Sequence, residues 1–156
     1  MSKKIESLAI LPRVWDILSE KATKVCENAY APYSKYKVGC ALELEDGTIV
    51  TGANQENASY PLSMCAERIA VFTAKSQYPK LSITKLLITI NRDSPELSPI
   101  APCGACRQVI YEAQTRQETQ IEIISGSKSA GYHHFHSAEA LLPHPFGPQD
   151  LKKAKH

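Results

Sequence analysis

The chain has 156 residues, of which 43% are hydrophobic and 22% charged, and a formal charge of only +2. That is enough apolar material for one compact domain to bury a core without disulfide staples, and it excludes disordered, collagenous and coiled-coil chains. The basic residues are scattered except for Lys152, Lys153 and Lys155, which read as a solvated tail rather than a nucleic-acid surface.

No apolar run approaches the ~20 residues that span a bilayer. Met1 to Leu11 has too short an apolar stretch for a secretory signal, so a soluble cytoplasmic protein with no membrane partner is expected. Five cysteines, an odd number, fit metal binding or catalysis better than disulfides in such a setting.

Between Pro12 and Tyr30, Val14, Leu18, Ala22, Val25 and Ala29 recur in steps of three and four and form one helical stripe, with Cys26 beside it as filler. Val38, Cys40, Leu42 and Leu44 then alternate as a strand. Asp46-Gly47 makes a tight turn, and Thr48 to Gly52 returns as the hairpin partner. Cys40 occupies a regular inward position and reads as a small buried hydrophobe.

Asn54 to Pro61 has no period and is a loop. Met64 to Gln77 is apolar over most of its circumference, so it is a central helix, with Ser63 as its N-cap. Ile83 to Ile90 reads as a buried strand, and residues 92–102, with Pro95, Pro99 and Pro102, as a connection. A helix from Cys103 to about Gln114 follows. Ile121 and Ile123 open another strand, Tyr132 to Phe135 form a fifth, and Ser137 caps a short helix through Leu142. Helices alternating with strands give a single α/β domain, 1–156 with its core at about 14–151 and short tails, in which one sheet of about five strands is sandwiched between helical layers.

Two segments carry the chemistry. Ser63-Met64-Cys65-Ala66-Glu67-Arg68 and Ala101-Pro102-Cys103-Gly104-Ala105-Cys106-Arg107 each place a cysteine in the first turn of a helix, where unpaired amides and the helix dipole favour a thiolate. Cys103 and Cys106 can face one point from a single turn. Three converging thiolates would bind one Zn2+ and leave a vertex for water, the mark of a catalytic rather than a structural site. Glu67 is placed to move protons without binding the metal. Three thiolates leave zinc with a net negative charge, which Arg68 and Arg107 could offset by hydrogen bonding to sulfur.

Duller readings exist for each part. A lone Cys-x-x-Cys can be a redox pair, but no tryptophan precedes this one and no proline lies inside it. A fourth ligand from His133, His134 or His136 would close the metal site into a structural zinc module, although these histidines read as surface residues of an edge strand.

Cys65-Ala66-Glu67 followed by Pro102-Cys103-x-x-Cys106 resembles the signature of zinc nucleoside deaminases. Cysteine as first ligand is similar to the small cytidine deaminases that act on free nucleosides. Tyr30 to Tyr36, Gly52 to Tyr60, Leu141-Leu142-Pro143 and Phe146 to Leu151 also resemble family segments, in the family's order. The resemblance implies a three-layer α/β/α sandwich around one mixed sheet. It implies hydrolytic deamination of cytidine or 2′-deoxycytidine to uridine or 2′-deoxyuridine plus ammonia, in pyrimidine salvage.

It further implies that Asn54 and Glu56 bind the ribose hydroxyls, that the backbone at Ala66 holds the polar edge of the base, and that Tyr36 stands where phenylalanine is usual near the pyrimidine. A homotetramer with shared sites is implied too, with Phe146 reaching into a neighbouring subunit. A related deaminase of a cytosine antibiotic such as blasticidin S shares the metal ligands and is the alternative activity. The stretch Gly126 to His136 departs from the family pattern.

Overall fold

The computed structural model describes residues 3–91 and 98–153. Six strands form one sheet: β1 (Lys3–Ile5), β2 (Val38–Leu44), β3 (Ile49–Ala53), β4 (Ile83–Ile90), β5 (Glu122–Ser127) and β6 (Gly131–Phe135). Their spatial order is β1-β6-β5-β4-β2-β3. The β4–β5 pair is parallel and the rest are antiparallel, so the sheet is mixed.

Helix α1 (Val14–Cys26) covers one face, and α2 (Ala66–Gln77) and α3 (Gly104–Thr115) cover the other. The result is the expected three-layer sandwich. Among the described residues no helix is long and apolar enough to cross a membrane.

Strand alternation sorts the core between the two layers. Cys40, Leu42, Leu86, Ile88 and Ile123 pack under α2 and α3. Ala41, Leu87, Ile124 and Tyr132 pack under α1 with Trp15, Leu18 and Ala22. The buried stripe of α1 is Trp15, Leu18, Ala22 and Cys26, rotated slightly from the expected one, so Cys26 lies on it. Burial pushes the Cys26 thiol up to about 11, and Cys40 rises well above the ordinary thiol range for the same reason. Both are packing residues.

One strand was not anticipated. β1 has three residues of which only Ile5 is buried, too short for any alternation to register. It pairs with β6, Lys3 opposite His134 and Ile5 opposite Tyr132. β6 is therefore not an edge strand, and His134 is not a surface residue: it is 6% exposed. The short helix expected from Ser137 to Leu142 is only a 3-10 turn, Ala138–Ala140, and the Ser137 side chain makes no cap. A further helix, α4 (Pro148–Lys153), takes up Lys152 and Lys153 of the expected tail. Lys155, and Pro95 of the expected connection, lie outside the described residues.

Two glycines let the helices approach the sheet. A Cβ on Gly39 would lie 2.0 Å from the Ala22 carbonyl oxygen in α1, and one on Gly52 would lie 2.5 Å from the Ala66 carbonyl oxygen in α2. The second contact seats the first turn of α2 directly on β3. Gly52→Val should therefore destabilise the fold by about 1–3 kcal/mol through overpacking. A urea midpoint unchanged from wild type would show that α2 is not held this closely.

Candidate active site

The first turn of α2 is built by a backbone ladder. Gln55 and Met64 exchange both N–H···O bonds, at 2.9 and 2.8 Å, which keeps Met64 extended. Helix α2 can then begin only at Ala66, and Cys65 rather than Ser63 occupies the N-cap position. Ser63 instead accepts a bond from the Asn57 amide at 3.0 Å. The start of α3 is fixed from the sheet. Ser125 of β5 donates to the Ile100 carbonyl at 2.8 Å, and Arg107 Nε donates to the Pro102 carbonyl at 2.8 Å. Cys103 is the N-cap of α3, and Cys106 lies in its first turn.

Both helix starts thus face one point. The Cys65 and Cys103 sulfurs are 3.9 Å apart, those of Cys103 and Cys106 are 3.5 Å apart, and all three lie within 4.8 Å of one another. Zinc–sulfur bonds of about 2.3 Å at tetrahedral angles require sulfurs about 3.8 Å apart, so the cluster fits a zinc ion with little adjustment. No histidine or carboxylate completes this cluster among the described residues. His134 and His136 group elsewhere, with Glu122.

The electrostatics follow from burial and from neighbouring groups. Hydrogen bonding from Cys106, and then from Arg68 and Cys103, lowers the Cys65 thiol to about 5 against the desolvation it also suffers. Cys106 moves the other way, raised by its contact with Cys65 and by burial. Arg68 reaches Cys65 Sγ at 3.8 Å and the Ser63 carbonyl at 3.4 Å, while its buried Nε has no hydrogen-bond partner. Arg107 does not reach a sulfur: its Nη1 donates to the Leu141 carbonyl at 3.1 Å. The expectation that it tunes the thiolates is replaced by a role in holding α3. Glu67 is 5% exposed, and its carboxyl is raised by burial and then by the nearby Cys65.

Cys65, Cys103 and Glu67 open on a cleft of about 470 Å3 whose walls include Tyr36, Asn54 and Glu56. Ile88 forms part of it as well, and nothing among the several apolar residues of β4 had distinguished it as a site residue. Asn54 clamps the chain on either side of Lys37: its Oδ1 accepts from the Val38 amide and its Nδ2 donates to the Tyr36 carbonyl, both at 2.8 Å. Glu56 accepts from the Tyr33 and Ser34 amides at 2.9 and 3.3 Å and from the Ser34 hydroxyl. The Ser34 bond foremost keeps its carboxyl below the usual range. Ala66 is buried in the first turn of α2 between two cleft residues. Phe146 is not part of the cleft wall: its ring is 59% exposed, and its carbonyl accepts from Gln108 Nε2 at 2.8 Å.

A family model described as the cytidine and deoxycytidylate deaminase zinc-binding region matches residues 15–120, which include all three sulfurs and Glu67. The chain belongs to this deaminase family. A cytidine deaminase of Mycobacterium tuberculosis is 41% identical over 141 residues, 90% of this chain and 96% of that protein. One from Halalkalibacterium halodurans is 45% identical over 96 residues, 62% of this chain and 69% of that protein. Among solved structures, the cytidine deaminase of Burkholderia pseudomallei superposes with a TM-score of 0.73 at 38% identity, covering 84% of this chain and 98% of that one. That of Mycobacterium leprae gives 0.64 at 32% identity, covering 83% and 97%. The chain is thus a deaminase, and its cofactor is zinc.

In a deaminase of this kind, the cation touching a ligand sulfur has a measurable role. Arg68→Ala should weaken zinc binding by about 10–100-fold, the usual effect of losing a partner of a metal ligand. Chelator competition giving equal affinities for variant and wild type would refute a tuning role for Arg68.

Proposed function

We propose that the chain hydrolyses cytidine or 2′-deoxycytidine to uridine or 2′-deoxyuridine and ammonia, as a cytoplasmic enzyme of pyrimidine salvage. The observation that carries this reading is a buried carboxyl, Glu67, opening on the same cleft as Cys65 and Cys103, whose sulfurs cluster with that of Cys106 at zinc-binding separations. Cys65, Cys103 and Cys106 would hold the zinc ion, which would supply the Lewis acidity that lowers the pKa of water from 15.7 towards ~7.

Glu67 takes the proton released by that water and delivers it to N3 of the pyrimidine as C4 is attacked. It then takes the proton of the hydroxyl newly added at C4 and passes it to the amine, so that the C4–N bond breaks, the C4 carbonyl forms and ammonia leaves. Its raised carboxyl suits a group that must both accept and return a proton near neutral pH. With the metal bound, Arg68 would withdraw density from Cys65 and so offset part of the thiolates' negative charge.

Tyr36 stands beside the base, and the backbone at Ala66 meets its polar edge. An amide nitrogen carries two N–H groups and a carboxylate accepts about four bonds, so Asn54 and Glu56 can meet ribose hydroxyls while keeping their backbone partners.

The test is loss of ultraviolet absorbance when cytidine is added to zinc-replete protein, with blasticidin S assayed beside it. Turnover of cytidine should vanish on chelation and return with zinc. Glu67→Gln should bind zinc normally yet lose about 10²–10⁴ in rate. Faster turnover of blasticidin S than of cytidine would overturn the substrate assignment, and wild-type turnover by Glu67→Gln would overturn the acid–base assignment.

The assembly proposed is a homotetramer in which Phe146 enters the cleft of a neighbour. Its 59% exposure leaves Phe146 available to a neighbour, which supports this reading. Light scattering on the active protein should give four chains per particle, and full activity in a monomeric particle would end the proposal.

A further inference from the structure

A second group of ligating side chains lies on the opposite face of the sheet from the sulfurs. Alternation along β5 turns Glu122 towards the layer of α1, where Ile124 packs two residues on. In β6 it turns His134 the same way, beside Tyr132, and His136 follows two residues later. The ligand atoms of Glu122, His134 and His136 all lie within 4.8 Å of one another. His134 Nε2 and Glu122 Oε1 are 2.6 Å apart, and the two imidazole centroids are separated by 4.5 Å.

The three are held differently, as a built site requires. His134 is buried and packs edge-on against Trp15, ring centroids 6.3 Å apart, which restricts its rotation. Glu122 is partly covered, and His136 is exposed and gives an ion its way in. The nearest cation in register with Glu122 is Lys85, which is already paired with Glu43 at 2.7 Å. Lys3, opposite His134, is exposed at the rim.

We propose that Glu122, His134 and His136 form a second metal site, for a divalent transition ion that favours imidazole and carboxylate ligands, such as Ni2+ or Zn2+. Metal–ligand bonds of 2.0–2.2 Å at tetrahedral angles need donors about 3.3 Å apart, so the hydrogen-bonded Glu122–His134 pair has only to open slightly as the ion takes the place of the bridging proton. The donor set also separates this site from the other: thiolates select zinc, whereas two imidazoles and a carboxylate accept nickel readily. A bound ion would tie the start of β5 to the end of β6. This site requires nothing of the deaminase reading.

Trp15 is the chain's single tryptophan and is in contact with His134, so its emission reports on this site. Ni2+, which does not oxidise thiols, is titrated into zinc-replete protein while tryptophan emission is followed. Saturable quenching at one ion per chain is expected. In His136→Ala, an exposed position that should not disturb folding, and in Glu122→Gln, affinity should fall by at least about tenfold, the lower end of what loss of a mere partner to a ligand costs. Deamination by His136→Ala should be unchanged. Quenching that never saturates, or that is identical in both variants and wild type, would overturn the proposal.

Discussion

The close seating of α2 on β3 governs the rest of the site. With only hydrogen on Gly52, the first turn of α2 lies against the strand, and the Gln55–Met64 ladder then sets where Cys65 leaves the loop. Cys65 and Glu67 take their places from that contact, one at the helix cap and one buried two residues on, within the first turn. Cys103 and Cys106 are brought to the same point from the other side by Ser125 and Arg107. Sulfurs separated by 3.5 and 3.9 Å are the outcome of packing decided elsewhere. A metal ion could not gather them across a gap at little cost, because protein interiors resist displacement of whole elements.

Local patterns in the sequence were enough to read most of the fold. β2 and β4 fall on the strands read from alternation and apolar content, and α3 lies within a residue of its expected ends. The site cysteines were legible because each sits in a short motif at a helix start. What was not legible came from partners distant in the chain. Ser63 resembles a cap, but Met64 is held extended by Gln55, and no nearby residue signals that. His134 resembles a surface residue of an edge strand, and its burial comes from Lys3–Ile5 at the far end of the chain. Arg107 stands next to a ligand in sequence, yet its side chain turns to carbonyl oxygens, which sequence neighbourhood cannot reveal.

The two faces of the sheet also divide the ionisable chemistry. Beneath α2 and α3 are soft sulfurs, a buried acid and one arginine. Beneath the far end of α1 are imidazoles and carboxylates that meet along the sheet rather than at helix ends. The barrier between them is the apolar width of β4 and β5, where Leu86, Leu87, Ile123 and Ile124 are fully buried. Groups on one face therefore cannot reach or hydrogen-bond to those on the other through this layer.

Glu56 makes the lip of the cleft and the sugar interdependent. Its carboxylate already gathers the Tyr33 and Ser34 amides and the Ser34 hydroxyl, so it props the turn over the entrance. Under the proposed reading the same oxygens must also greet a ribose. Three of the roughly four bonds that a carboxylate accepts are taken by the turn, so a nucleoside would have to fit its hydroxyl to the position left over. Under that reading, selectivity for the sugar would rest partly on Ser34, which helps to hold the carboxylate in place.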